Sequence, residues 1–272
     1  MYNVLVAGLT ISLDLCYESD FENSYKYKTD LDANYHITSR LVDNIEEPMS
    51  NLLYETKYYK KYKVSDHIIQ IQYLEGRLIG SIDYYKNDVL INILVHNSVS
   101  EYVMSQYALA YILGQNDAII MHGSSLIYSD LGIIFTAKSG TGKSTHSRLW
   151  QKYSDATVLN DDKNILKLEG DKVMLYSSPW SGKHKLDNNI SHKLDVIVFL
   201  YQNKTNVIRR LKSIEAFKLM LSQIDFPREE NMDLWNKITD KLLELPIYHL
   251  GCNMEKEAFD VCRNKIIEDI RD

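Results

Sequence analysis

The segment Ile133-Ile134-Phe135-Thr136-Ala137-Lys138-Ser139-Gly140-Thr141-Gly142-Lys143-Ser144-Thr145 constrains this chain more than any other stretch. An apolar run rich in β-branched residues enters a loop with two glycines and leaves through Gly-Lys-Ser, and His146 to Trp150 reads as the start of a helix. A strand, loop and helix of this kind form a cup for the phosphates of a nucleotide. Such a dense anion has to be met by bare backbone, and Gly140 and Gly142 permit conformations in which successive N–H groups converge on phosphate oxygens. The helix that follows adds about half a positive elementary charge at its N-terminus. Ser139, Gly140, Thr141, Gly142, Lys143, Ser144 and Thr145 are therefore the expected nucleotide contacts, with Lys143 along the β and γ phosphates and the Ser144 hydroxyl on Mg²⁺. Ala137 opens the loop where the strict pattern has glycine, a change that a negative φ there would tolerate.

A chain of 272 residues has room for one large domain or two small ones, and 45% hydrophobic with 25% charged residues is the balance of an ordinary soluble protein. The net charge of −6 argues against a general nucleic-acid binder, which needs a basic face. Cys16, Cys252 and Cys262 are scattered and lack metal-site spacing, so reduced structural thiols in the cytoplasm are expected. Residues 1–15 lack the basic start and apolar core of a secretion signal, and no run approaches a membrane span. Many of the 20 tyrosines gather in the first third, where half-buried strands would accommodate them.

Residues 1–97 read as a smaller antiparallel β-rich domain for partner or substrate recognition. Tyr2 to Leu15 promises one or two strands and Tyr35 to Val42 another, with a break at Glu46-Glu47-Pro48. Ile68 to Tyr73, Arg77 to Tyr84 and Val89 to Val95 form a meander by spacing and turn chemistry. His36, His67 and His96 stand apart and suggest no catalytic group. Ser98-Val99-Ser100-Glu101 has capping-box spacing and opens a helix that should stop near Gly114, which we assign to a second domain over 98–272.

In that second domain, Ala118 to Met121 is a short strand ending in His122-Gly123, and Ser124 to Tyr128 with Ile133 to Thr136 should make a hairpin leading into the phosphate loop. A hairpin there is unusual, since common phosphate-loop folds set that strand inside a parallel sheet. The strand from Val196 to Leu200 ends in Tyr201-Gln202, without the acid that usually holds the metal. The acids stand instead at Asn160-Asp161-Asp162, after the short strand Thr157 to Leu159. Taken alone, two aspartates before Lys163-Asn164 make a solvated turn. Beside a phosphate loop they suit phosphoryl transfer, one carboxylate steadying Mg²⁺ and its neighbour taking the proton of an attacking hydroxyl.

His122-Gly123, the hairpin, Ala137 to Thr145 and Leu159 to Asp162 together resemble the catalytic half of HPr kinase/phosphorylase, and most of all its smaller bacterial relatives, some encoded beside peptide-modifying enzymes. The wider group includes phosphoenolpyruvate carboxykinases, with a Gly-x-Gly-Lys-Ser/Thr loop and an Asp-Asp pair. The match spans roughly residues 118 to 211. The resemblance implies an α/β fold of α+β character, a mixed sheet bearing the phosphate loop with flanking helices. It implies that Lys143 contacts phosphate, that Ser144 and Asp162 serve Mg²⁺, that Asp161 is the base and that His122 lies near the phosphates. The glycine-rich, arginine-containing segment by which HPr kinases hold their protein substrate is absent, so HPr itself is not the expected acceptor. In its place stands the basic loop Ser178 to Lys185, whose Lys183 is a candidate for closing over a phosphate. Arg209 and Arg210 read as solvent-facing charges.

The expected activity is that of an ATP- and Mg²⁺-dependent kinase acting on a hydroxyl, the serine of a peptide or protein or the free amino acid. The alternative is a nucleotide-binding regulatory or peptide-maturation partner that turns over little nucleotide. Neither nucleic acid nor membrane is an expected partner, and a homo-oligomer is allowed. Ser213 to Met220, Asn231 to Leu243 and a last helix from Asn253 through Ile270 read as scaffold, with Phe259, Cys262, Ile266 and Ile270 on one face.

Overall fold

The computed structural model describes residues 1–17, 24–46, 51–55, 58–180, 186–225 and 231–271. It divides into two units, Met1–Ile112 and Leu113–Asp272.

In the first unit lie strands β1 (Tyr2–Val6), β2 (Leu9–Asp14), β3 (Tyr35–Leu41), β4 (Asn51–Glu55), β5 (Tyr59–Lys63), β6 (Ile68–Tyr73), β7 (Leu78–Tyr85) and β8 (Asp88–Ile93). They form one sheet in the order β1-β2-β3-β8-β7-β6-β5-β4. The hairpin β1–β2 closes on Ala7 and Gly8, both at positive φ (50° and 78°), the handedness that matches strand twist. The meander β6–β7–β8 is antiparallel as expected. The sheet as a whole is mixed, however, because β3 runs parallel to both β2 and β8.

Helix α1 (Ser98–Gly114) also departs from expectation, since its residues up to Ile112 group with the first unit. The boundary moves from 97/98 to 112/113, and Glu101 supplies the physical reason. Its carboxylate is 0% exposed and accepts the backbone N–H groups of Cys16 and Tyr17, each at 2.7 Å, and the Ser39 hydroxyl. It therefore does not complete a capping box. Asn97 caps the helix instead, its Oδ1 accepting Ser100 N–H at 2.8 Å. Farther along, Met104 packs over Gly80, and the Tyr111 ring stacks on Tyr84 with centroids 4.0 Å apart.

The second unit continues with β9 (Ala118–His122), β10 (Ser124–Tyr128), β11 (Leu131–Thr136), α2 (Lys143–Tyr153), β12 (Thr157–Asn160), β13 (Lys163–Glu169), β14 (Lys172–Tyr176) and β15 (Ser191–Gln202). It ends with β16 (Val207–Arg210), α3 (Ser213–Met220), β17 (Ile224–Asp225), α4 (Met232–Glu244), β18 (Ile247–Cys252) and α5 (Lys256–Arg271). Strand β11 answers the question posed by the hairpin. On one side it pairs antiparallel with β10 through a turn at Ser129 and Asp130, both at positive φ; on the other it runs parallel to β15, which runs parallel to β18. The strand that leads into the glycine loop is thus hairpin partner and parallel-sheet strand at once. The result is a mixed α/β architecture of α+β character.

Alternation along β11 and β15 sends side chains to two cores. Ile134, Ile197 and Phe199 pack with Met220 of α3 and Leu234, Ile238 and Leu242 of α4. Ile133, Phe135, Val196 and Val198 pack with Trp150 of α2 and Phe259, Cys262 and Ile266 of α5. Ile270, expected on that same face of α5, is 40% exposed. The ends of β11, β15 and β18 and the start of α2 are fixed between these layers. Among the described residues, no helix is long and apolar enough to cross a membrane.

Candidate functional site

The chain leaves β11 at Thr136 and enters α2 at Lys143, so Ala137 to Gly142 form the loop. Gly140 and Gly142 have φ of 81° and 116°, while Ala137 is not among the residues of positive φ. That is the pattern required if alanine is to open the loop and glycine to complete it. Lys138, Ser139 and Gly140 are exposed, and Thr141, Gly142, Ser144 and Thr145 are half-buried. Lys143 is buried, and its ammonium donates to Ala137 O at 3.0 Å, which folds the side chain back over the loop. Burial pushes the Lys143 pKa down, Asp162 opposes this and Lys163 adds to it. Lysine and acid are thus near enough to act on each other's charge.

The carboxylates follow β12. Asn160 shapes their turn: its Oδ1 accepts the N–H groups of Asp162 and Lys163 at 2.8 and 2.9 Å, and its amide donates to Ser178 O at 2.9 Å. Asp161 is buried. Asp162 is half-buried and receives His122 Nε2 at 2.9 Å from its Oδ1. Burial alone would raise the Asp162 pKa, but the His122 hydrogen bond and the charges of Lys163, His122 and Lys143 together outweigh it and hold the carboxyl below its ordinary value. Asp162 is therefore an anion at neutral pH.

The first half of this acid arm is set by β9, which pairs with β13 so that His122 stands opposite Lys163. Gly123 allows the close approach behind it, since a Cβ there would come within 2.9 Å of Phe135 O. Buried polar side chains tie the strands together. Asn164 donates to Gly123 O at 2.7 Å and meets Ser125, and Ser147 of α2 donates to Ser124 at 2.7 Å. Gln223 O accepts His122 N–H at 2.8 Å. Ser124, Ser125, Asn160, Asn164 and Gln223, which hold this arrangement, belong to no catalytic motif of the sequence. For the first four the only sequence signal is polarity within apolar strands, a sign that a buried network is being satisfied; Gln223 lies in the turn between α3 and β17 and carries none.

The absence of an acid at the end of β15 also has a structural counterpart. Gln202 stands there, with its amide 3.5 Å from Gly140 O, and thus supports the loop rather than a cation. Arg209 is committed to Glu215 through two hydrogen bonds of 2.8 and 3.0 Å and faces solvent, as expected. Lys183 lies outside the described residues, although the start of its loop is anchored by Ser178, whose hydroxyl donates to Lys163 O at 2.6 Å.

Two cavities flank the glycine loop and share Gly140, Thr141 and Gln202. One, of about 580 Å³, extends toward Asn203, Cys252 and Asn253. The other, of about 540 Å³, extends toward Ser222, Gln223 and His249. Both fall within the size range of small-molecule sites, about 300–1,000 Å³.

As to Mg²⁺, the two residues expected to hold it, Ser144 and Asp162, offer hard oxygens, a hydroxyl and an ionised carboxylate. Among the described residues no cluster of three or more His, Cys, Asp or Glu side chains is arranged to hold a metal. That donor set fits an ion held largely by substrate phosphates and water, with one or two protein ligands, as Mg²⁺ commonly is.

The chain matches no known protein-family model and no curated protein. Among solved structures it is similar to the HPr(Ser) kinase/phosphatase from Coxiella burnetii, at 11% identity and a TM-score of 0.35, over 55% of this chain and 97% of that one. A likeness of that degree carries no argument about activity.

Proposed function

We propose that the second unit is a Mg²⁺-dependent, nucleotide-using phosphotransferase that moves the terminal phosphoryl group of ATP to a hydroxyl, the serine of a peptide or protein or free serine. The observation that carries this is the convergence of a buried, loop-folded Lys143 with the ionised Asp162, on a strand–loop–helix whose two glycines have the φ values a phosphate cup requires. Loop amides, the α2 N-terminus and Lys143 bind the polyphosphate and spread its charge. Ser144 and Asp162 would hold Mg²⁺, which neutralises charge developing on the phosphate oxygens. His122 orients Asp162.

Asp161, next in the chain to Asp162, takes the acceptor's proton. The hydroxyl oxygen then bonds to the terminal phosphorus, the bond from that phosphorus to the bridging oxygen breaks, and the diphosphate leaves. Little covalent chemistry is asked of the protein, so positioning and charge supply most of the rate.

The test is incubation of the full chain with ATP, Mg²⁺ and serine-containing peptides or free serine, followed by detection of phosphorylated product. Product is expected from the native chain, and about a hundredfold or greater loss is expected in Asp161→Asn and Lys143→Ala. Transfer by Asp161→Asn at the native rate rejects the base assignment. Nucleotide binding without any transfer favours a regulatory or maturation partner instead.

A further inference from the structure

The cavity of about 540 Å³ beside the glycine loop is built around an aromatic pair that the chemistry above leaves unused. Tyr201 and His249 stand near the ends of the parallel strands β15 and β18, where Tyr201 pairs with Gly251. A Cβ at Gly251 would come within 2.5 Å of the Tyr201 ring, so glycine there lets the ring lie down over β18. The ring then meets the His249 imidazole, with centroids 4.5 Å apart and planes at 50°. Both side chains line the cavity. Tyr201 is 38% exposed and His249 half-buried, and among the described residues neither phenol nor imidazole makes a hydrogen bond. The His249 ring nitrogens are not among the enclosed polar atoms, so a ligand can reach them. Burial, and after it the charge of Arg209 on β16, push the His249 pKa below its ordinary value against the pull of Glu215. The ring is therefore neutral at pH 7 and offers one donor and one acceptor nitrogen.

We propose that the phosphoryl acceptor is a peptide rather than free serine, and that its serine reaches the glycine loop with a neighbouring aromatic side chain laid on Tyr201 and His249. The proposal rests on the phosphotransferase reading and goes beyond it by choosing the substrate class. The place of the cavity selects the acceptor as its occupant. Lys143 carries its ammonium back to Ala137 O at the opening of the loop, and Ala137, Lys138 and Ser139 line this cavity and not the other. Gln223 is in its wall too, and its backbone carbonyl holds the N–H of His122, the partner of Asp162. The cavity thus opens at the lysine-and-acid end of the loop, where terminal phosphate and attacking hydroxyl have to meet. Its size selects the class. Clefts of about 300–1,000 Å³ enclose ligands of drug size, far larger than one serine, and Phe199 and Leu219 add apolar wall for a side chain beyond the hydroxyl. A flat ring on this floor gains aromatic contact in addition to burial, while the neutral imidazole can bond a peptide N–H or C=O.

Calorimetry on the full chain, loaded with Mg²⁺ and a non-hydrolysable ATP analogue, compares three ligands. They are a short peptide with phenylalanine beside its serine, the same peptide with alanine in place of the phenylalanine, and free serine. The native chain should hold the first about tenfold or more tighter than the other two. Tyr201→Ala should bring the first peptide down to the level of the second, and Tyr201→Phe, which keeps the ring, should keep the preference. In turnover the Tyr201→Ala loss should appear as a KM for the aromatic peptide about tenfold higher at an unchanged KM for ATP. Equal binding of the three ligands by the native chain, or binding of none, overturns the proposal, as does a preference that survives in Tyr201→Ala. A Tyr201→Ala chain that loses affinity for the ATP analogue instead gives the aromatic pair to the nucleotide and overturns it too. Transfer to free serine as efficient as to the aromatic peptide overturns the proposal and leaves the phosphotransferase in place. Selective binding of the aromatic peptide with no transfer to it overturns the phosphotransferase reading, and the acceptor role falls with it.

Discussion

His122 Nε2 stands 2.9 Å from Asp162 Oδ1 because two neighbouring antiparallel strands, β9 and β13, place His122 opposite Lys163, the next residue after that aspartate. The backbone repeats the tie, since Gly123 N–H donates to Asp162 O at 2.9 Å. Orienting partners of a metal-binding carboxylate commonly contribute ten- to a hundredfold in affinity or rate. His122→Ala should therefore raise the Mg²⁺ concentration needed for half-maximal phosphoryl transfer by about tenfold, with a smaller change in ATP affinity. Titration of activity with Mg²⁺ at fixed ATP checks this. An unchanged Mg²⁺ requirement would show that His122 does not act through Asp162.

Gly142 precedes the first turn of α2 at φ 116°, and a Cβ there would meet open space, so the backbone alone objects to a side chain. Gly142→Ala should cost about 1–3 kcal/mol of stability and turn the loop amides away from phosphate, abolishing Mg-ATP binding. Gly76 offers a control in the first unit, with φ 99° and equally open space. Gly76→Ala should lose comparable stability in urea and keep its nucleotide affinity. If both variants bind alike, the loop does not depend on Gly142.

The strand, glycine loop and helix and the hairpin before them could be read from sequence because they are local: glycines, a lysine and an alternating apolar run act within a dozen residues of one another. The turn that carries Asp161 and Asp162 was readable for the same reason, as Asn160 ends a strand and makes its own turn. What escaped depended on partners distant in the chain. Parallel pairing of β3 with β2 and β8 leaves no turn signature, and β5, Tyr59–Lys63, is made of tyrosine and lysine alone, without the apolar alternation that marks a strand. The end of β15 was legible only as a missing acid, and the support that Gln202 gives the loop needed coordinates.

Glu101 is the sharpest of these failures and gives a prediction for the first unit. Ser98 to Glu101 has the spacing of a cap, yet the carboxylate is buried on Cys16, Tyr17 and Ser39. Removing it leaves the Tyr17 N–H and the Ser39 hydroxyl without this acceptor, each worth about 1–3 kcal/mol when left unmatched, while the Cys16 N–H keeps Ser39 Oγ at 2.9 Å. Glu101→Ala should destabilise the chain by about 3 kcal/mol, and Glu101→Gln, which keeps an acceptor oxygen, by less. Urea unfolding followed by tyrosine fluorescence, with most tyrosines in the first third, reads the effect. A midpoint unmoved in Glu101→Ala would mean that water replaces the carboxylate and that α1 is held by its apolar contacts alone.

The three cysteines separate by burial. Cys16 is exposed; Cys252 is half-buried, with its thiol pushed up to about 11, and Cys262 is fully buried among the apolar residues beneath α5, its thiol raised further. Burial disfavours the charged thiolate, the form that attacks disulfide reagents, so a raised pKa means a protonated and slow thiol at neutral pH. Labelling of the native chain with a chromogenic disulfide at pH 7.5 should release about one equivalent rapidly and about three after denaturation. As the pH climbs toward 11, the Cys252 thiolate grows and a second equivalent should enter the fast phase while Cys262 stays protected. Two rapid equivalents already at pH 7.5 would contradict the enclosure of Cys252. The wall of the cavity between the glycine loop and Asn253 would then be more open to solvent than its burial implies.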